Sequence, residues 1–185
     1  MMPRIFRKEA EQYFRKQMEL LTSAGFDALG IGSMEEPGFL REAGIELPMY
    51  FDQGMYSWNH LAGAAMERYG ADRLTIPVEL NEREIRDSGV QGEMIVYGYL
   101  PMMISAQCIR KTTLGCSGKP EVMWLKDRKD MRFPVVNQCR FCYNTIYNSA
   151  PLSLLGLSEQ VTGLKPNAVR LNFTVEEPAA AGEIL

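Results

Sequence analysis

Stretches that read as buried strands begin at about residues 28, 48, 73 and 93, some 20–25 residues apart. That interval is the length of one β-strand plus the helix that carries the chain back to start the next. Few folds accept such a rhythm, because successive βα units pair in parallel through right-handed crossovers. The residues between agree with it. Arg4–Ser23 is expected as a helix, with Ile5, Phe6, Tyr13, Phe14, Met18 and Leu21 on one broad face and Ala24-Gly25 ending it. Ala28–Gly32 is the first strand, and a helix over 35–43 stops at Gly44. Pro48–Asp52 is the second strand, before a helix over about 57–69 that stops at Gly70. Arg73–Val78 is the third, Asn81 is placed to cap a helix over Glu82–Ser88, and Glu93–Tyr97 is the fourth.

After Gly98 the rhythm breaks. About 70 residues pass before the next strand of the same type, Val169–Phe173. Within them, 133–136 and 145–147 read as short strands, and 151–155 and 158–163 as helical turns. A final helix is expected to start within 176–185. Gly30-Ile31-Gly32-Ser33-Met34-Glu35 lacks the third glycine of a dinucleotide-binding turn. A full barrel of eight βα units takes about 250 residues, and this sequence supplies about five such strands. The expected fold is therefore α/β, a partial (β/α) TIM-like barrel of parallel units with a Cys-rich insert before the last strand. The expected divisions are 1–100 for the βα units, 101–165 for the insert, and 166–185 for the last strand and the start of a helix. A missing N-terminal half-barrel or a homo-oligomer would complete the barrel, and open edge strands predict association.

All four cysteines, Cys108, Cys116, Cys139 and Cys142, fall within 35 residues, spaced C-x7-C-x22-C-x2-C. Four thiolates converging on one point are what a soft metal ion or an iron–sulfur cluster requires. Two disulfides or unrelated free thiols would use the same residues. The close Cys139–Cys142 spacing favours a metal knuckle. No stretch is apolar and long enough to span a bilayer, and the charged first residues lack the apolar core of a secretory signal. A cytoplasmic, reducing setting is expected, which again favours metal over disulfide.

Charge is uneven. Between Gln107 and Thr145 eight basic residues face three acids, a local +5, which leaves −8 on the remainder of a chain of net charge −3. A basic insert offsets the negative charge of a thiolate-bound cluster or steers an anionic partner such as RNA; a solvated basic loop reads the same way. Arg110, Lys111, Arg128 and Arg140 are the candidate substrate contacts, and Trp124, Phe133, Phe141 and Tyr143 interleave with them as stacking surfaces or as a small core.

The segments EMIVYGYLPMMISAQC (93–108) and LKDRKDMRFPVVNQCRFCYNTIYNSAPLSLL (125–155), with IPVELN (76–81) and Val169–Phe173, resemble the collagenase-like peptidases, peptidase family U32. The resemblance covers essentially the whole chain, as the C-terminal half of the family's barrel-like catalytic domain. Glu93, Gly98 and Cys108 fall where the family signature places such residues. Seven positions before Cys108 the signature usually has a cysteine, and this sequence has Pro101. Cys108 therefore carries over directly, while Cys116, Cys139 and Cys142 join it by clustering. The resemblance implies a protease by family name. Several relatives look instead like iron–sulfur proteins that hydroxylate RNA bases or a quinone precursor.

Conventional proteolysis finds little in the residues. There is one histidine, His60, and no H-E-x-x-H or G-x-S-x-G. In a barrel the strand C-termini carry the chemistry, which singles out Asp52, Glu79, Asn81, Tyr97, Arg170 and Asn172. Arg170 interrupts an apolar strand, and a partly buried arginine needs a carboxylate or an anionic ligand. Glu79 is the expected partner. Asp52, Glu79 and Arg170 are the candidate catalytic residues, with Asn81 and Tyr97 as substrate contacts. Three readings follow: a collagenase-like peptidase acting on peptide, an iron–sulfur-dependent hydroxylase acting on RNA or a small aromatic, and a non-catalytic metal-stapled fragment. The four cysteines would hold a four-iron cluster, with zinc as alternative occupant.

Overall fold

Short-range chemistry ends the helices where glycines and caps stand. The structure is a computed structural model describing residues 2, 4–6 and 8–184. Arg7 and Leu185, which fall in the expected first and last helices, lie outside the described residues. The helix α1 covers Lys8–Ser23, so the expected start at Arg4 is four residues early; Arg4 and Ile5 form a bend. The strand β1 is Leu29–Ile31, the helix α2 Glu35–Glu42, and the strand β2 Met49–Phe51. The helix α3, His60–Tyr69, is capped by the Asn59 side chain and closes on Gly70 in the left-handed region at φ 115°. The strand β3 is only Arg73–Leu74.

In the helix α4, Glu82–Ser88, Asn81 Oδ1 accepts from the Glu84 amide at 3.1 Å while the Glu84 carboxylate accepts from the Asn81 amide at 2.8 Å. This reciprocal box satisfies two amides that the first helical turn otherwise leaves unpaired. Asn81→Ala is expected to lower stability by about 1 kcal/mol, read as a shift in the urea midpoint. An unchanged midpoint would mean that the cap contributes nothing.

Two units divide the chain, residues 1–95 with 157–170 and residues 96–156 with 171–185. In the first unit β1, β2 and β3 form a parallel sheet in sequence order, with Ile31 opposite Phe51 and Phe51 opposite Leu74. A parallel bridge from Thr75 to Glu93 extends the series to the strand β4, Glu93–Gly98. The α6 helix, Ser158–Gly163, and most of the strand β10, Ala168–Leu171, complete this unit. Its core gathers Met18, Ile31, Phe39, Leu40, Phe51, Met55 and Leu74. Burying each such side chain contributes about 1.5–3 kcal/mol, which is what holds strands this short in register. The architecture is mixed α/β with parallel strand segments and no closed barrel among the described residues.

The second unit is built differently. The strands β5 (Pro101–Ser105), β6 (Val122–Lys126), β7 (Arg132–Gln138) and β8 (Tyr143–Tyr147) make an antiparallel sheet in the order β5-β8-β7-β6. A five-residue helix α5, Ile109–Thr113, lies in the connection from β5 to β6. The sequence reading found β7 and β8 and missed β5 and β6. Both are edge strands, where proline is tolerated at the start (Pro101) and apolar residues stand on both faces, so no alternation marks them. Leu152–Ser153, expected as part of a helical turn, is instead the strand β9, antiparallel to Tyr97–Gly98. Gly98 has φ 142°, and an added Cβ would overlap the backbone carbonyl of Asn172, so only glycine fits. The last helix, α7, is Pro178–Ile184.

Candidate functional site

All four cysteines lie within the second unit. Cys108 stands just before α5, Cys116 follows it on an exposed loop, and Cys139 and Cys142 occupy the turn joining β7 to β8. That turn is one 3-10 turn, Cys139–Phe141, closed by Cys142 in the left-handed conformation at φ 51°, a region non-glycine residues seldom enter. It brings the Cys142 thiol to 3.7 Å from the Cys139 carbonyl. All four are free thiols. The Cys139 thiol is held above the ordinary range by burial, then by the neighbouring sulfurs of Cys116, Cys108 and Cys142. The four therefore share one neighbourhood. Among the described residues no group of three or more His, Cys, Asp or Glu side chains already stands as a metal-holding set. Electrostatic influence reaches farther than coordination bonds do.

Arg110 belongs to this region's scaffold. Its Nε pairs with Glu121 Oε1 at 2.7 Å and its Nη1 donates to the Gly115 carbonyl at 3.0 Å, one residue from Cys116. Ser117 Oγ donates to the same Glu121 oxygen at 3.2 Å. Lys111, Arg128 and Arg140 are exposed. Of the four aromatics, Trp124 is exposed, Tyr143 is buried, and Phe133 and Phe141 are half-buried. Tyr97 is buried against the Phe173 ring, centroids 5.5 Å apart, and its hydroxyl is pushed above the usual range by burial, then by Glu176 and Tyr99. Asn81 is exposed, with its carbonyl oxygen committed to the helix cap.

The first unit brings a second set of candidates together. Arg170 does have a carboxylate partner, but Glu79 is not it. Glu79 is exposed in the turn after β3, and the Arg170 guanidinium instead meets Asp52 Oδ1 at 2.5 Å and Glu93 Oε1 at 3.1 Å. Asp52 follows β2 and Glu93 opens β4, and the parallel register carries both to one level of the sheet. Arg4 approaches the other Asp52 oxygen at 3.7 Å. Gly54 makes room for it, since a Cβ there would overlap the Arg4 guanidinium. The result is a neutral quartet of two arginines and two carboxylates. His60, at the start of α3, is exposed.

One further ionisable residue escaped the sequence reading. Glu36, in α2, is 1% exposed; its Oε1 accepts from the Gly32 amide at 3.2 Å and its Oε2 is buried without a hydrogen-bond partner. It lines a cavity of about 50 Å³ whose other walls include Met2, Phe14, Met18, Leu29 and Leu40. Burial in this apolar setting raises its pKa to about 7, against the smaller lowering effects of the Gly32 amide and Arg4. Nothing local marks it, because Glu35 beside it is exposed.

The comparison with protein families matches residues 3–172 to Peptidase family U32. The chain belongs to this family. The U32 match spans both units and takes in all four cysteines, the Arg4–Asp52–Glu93–Arg170 quartet and Glu36. Comparison with curated proteins found no match, and comparison with solved structures found none either. Among the described residues, no helix of this U32 protein is long and apolar enough to cross a membrane.

Proposed function

We propose that this collagenase-like U32 protein carries a thiolate-bound centre on Cys108, Cys116, Cys139 and Cys142, and that it serves an iron–sulfur-dependent modifying enzyme. One observation carries the reading: the sulfurs of Cys116, Cys108 and Cys142 are near enough to raise the pKa of Cys139. Crowded thiols resist ionisation until a cation enters, and a soft cation then favours all four thiolates at once. The donor set therefore fits a four-iron cluster, with zinc as the alternative occupant. Such a cluster supplies electron transfer, or an open iron if one cysteine stays unbound. The basic residues Lys111, Arg128 and Arg140 suit an anionic substrate, with RNA preferred over a small aromatic. The parallel strands of the first unit suit part of a TIM-like barrel completed by an N-terminal half or a second copy. A cytoplasmic location suits reduced thiols.

Anaerobic purification with iron and sulfide analysis tests this. About four irons per chain are expected, from the four-thiolate ligand set, and Cys108→Ser is expected to lower metal content several-fold. Unchanged content in that variant would sink the ligand assignment. The family match favours a second reading, a peptidase. Gelatin cleavage that persists after metal removal would support it. Colourless protein with a single zinc would support a metal-stapled module without catalysis.

A further inference from the structure

Two asparagines with no room to be ornamental lie at the base of the Cys139–Cys142 turn. Asn137 on β7 and Asn144 on β8 are directly opposite each other in the antiparallel register, and both are wholly buried. Burying a primary amide is costly unless its groups are paired. A pair of β-branched apolar residues would fill the same strand positions without that cost. Here each asparagine uses part of its amide outside the sheet and leaves part unpaired: Asn137 Nδ2 and Asn144 Oδ1 have no partner.

What they bind is the other cysteine loop. Asn144 Nδ2 donates to the Gln107 carbonyl at 2.7 Å, immediately before Cys108. Asn137 Oδ1 accepts from the Glu121 amide at 2.5 Å, and the Asn137 amide donates to the Glu121 carbonyl at 3.2 Å. The segment from Gln107 to Glu121 holds Cys108 and Cys116 and is otherwise mostly exposed, so its two stems are tied to the base of the turn that holds Cys139 and Cys142. Glu121 then extends the tie outward through Arg110 and Ser117. Loops held at one shared base lose less conformational entropy when their thiols converge on a metal.

We infer that Asn137 and Asn144 are positioning residues that register the Cys108–Cys116 loop against the Cys139–Cys142 turn for soft-metal binding. The inference rests on the thiolate-centre reading. Its test is a matched pair, because aspartate at either position adds the same kind of buried charge. Asn137→Asp keeps the acceptor that holds the Glu121 amide, whereas Asn144→Asp removes the donor that holds the Gln107 carbonyl.

The probe is cobalt(II), titrated anaerobically into the reduced, metal-free 185-residue protein and followed by its sulfur-to-cobalt charge-transfer absorption. Wild type and Asn137→Asp are expected to bind within about threefold of each other, and Asn144→Asp at least about tenfold more weakly, the loss of one charge-assisted or buried tie. Equal binding by all three proteins overturns the inference and leaves the thiolate centre standing. Equal weakening of both variants also overturns it, since buried charge alone would then explain the loss. Absence of thiolate absorption in wild type overturns the centre itself. Should either variant fail to fold, hydrogen exchange in the metal-free wild type decides: the Glu121 amide is expected to be protected at least about tenfold over its exposed neighbours, and an unprotected amide refutes the tie.

Discussion

Asp52→Ala is expected to cost about 3 kcal/mol of stability, the scale on which removing one partner of a buried ion pair is felt. Asp52 is nearly buried, and its carboxylate faces Arg170 at 2.5 Å and Arg4 at 3.7 Å. Without it Arg170 keeps Glu93, and Arg4 loses the acid it faces. Both arginines are less than a third exposed, so water screens them only in part. A urea midpoint at neutral pH measures the loss. Asp52→Asn keeps a hydrogen-bond acceptor and should lose about half as much. A double-mutant cycle with Arg170→Ala should return a coupling of about 1–3 kcal/mol. A coupling below about 0.5 kcal/mol would mean that the pair is not structural and that Asp52 and Arg170 are held for something else.

Glu36→Gln is expected to stabilise the protein by about 3 kcal/mol at pH 8 and to leave it nearly unchanged at pH 4.5. The wild-type carboxyl has a folded pKa of about 7 against an ordinary 4.5, raised chiefly by burial. Between these values the folded chain keeps a proton that the unfolded chain has released. Stability from this group is thus fully present below about pH 4.5 and is lost as pH rises through about 7. Glutamine keeps the shape and the acceptor for the Gly32 amide and carries no charge to bury. Denaturation midpoints across this pH range should fall for wild type and stay flatter for the variant. Parallel curves for the two proteins would show that Glu36 ionises as freely folded as unfolded.

Local features of the fold were legible because local interactions create them. The Asn81 cap and the stop at Gly70 depend on residues a few positions apart, and the order of the parallel strands follows from successive βα units about 20 residues long. The edge strands β5 and β6 were not legible, since their exposed positions also carry apolar residues such as Met102, Val122 and Trp124, which hides the alternation in the sequence. The four cysteines were singled out by their spacing alone. Their common neighbourhood around Cys139, and the two asparagines beneath it, required the β7–β8 register.

The carboxylates mark the limit most clearly. Spacing and composition established a series of βα units, a basic segment with four thiols, and an arginine on an apolar strand in need of an acid. They did not choose which acid. Glu79 and Asp52 both follow strands, and Glu35 and Glu36 are adjacent in one helix. Only the tertiary structure brought Asp52 and Glu93 to Arg170, and put Glu36 rather than Glu35 against an apolar cavity. Helix caps and strand order are encoded by neighbours along the chain, whereas burial and charge pairing depend on segments up to 118 residues apart arriving at one place.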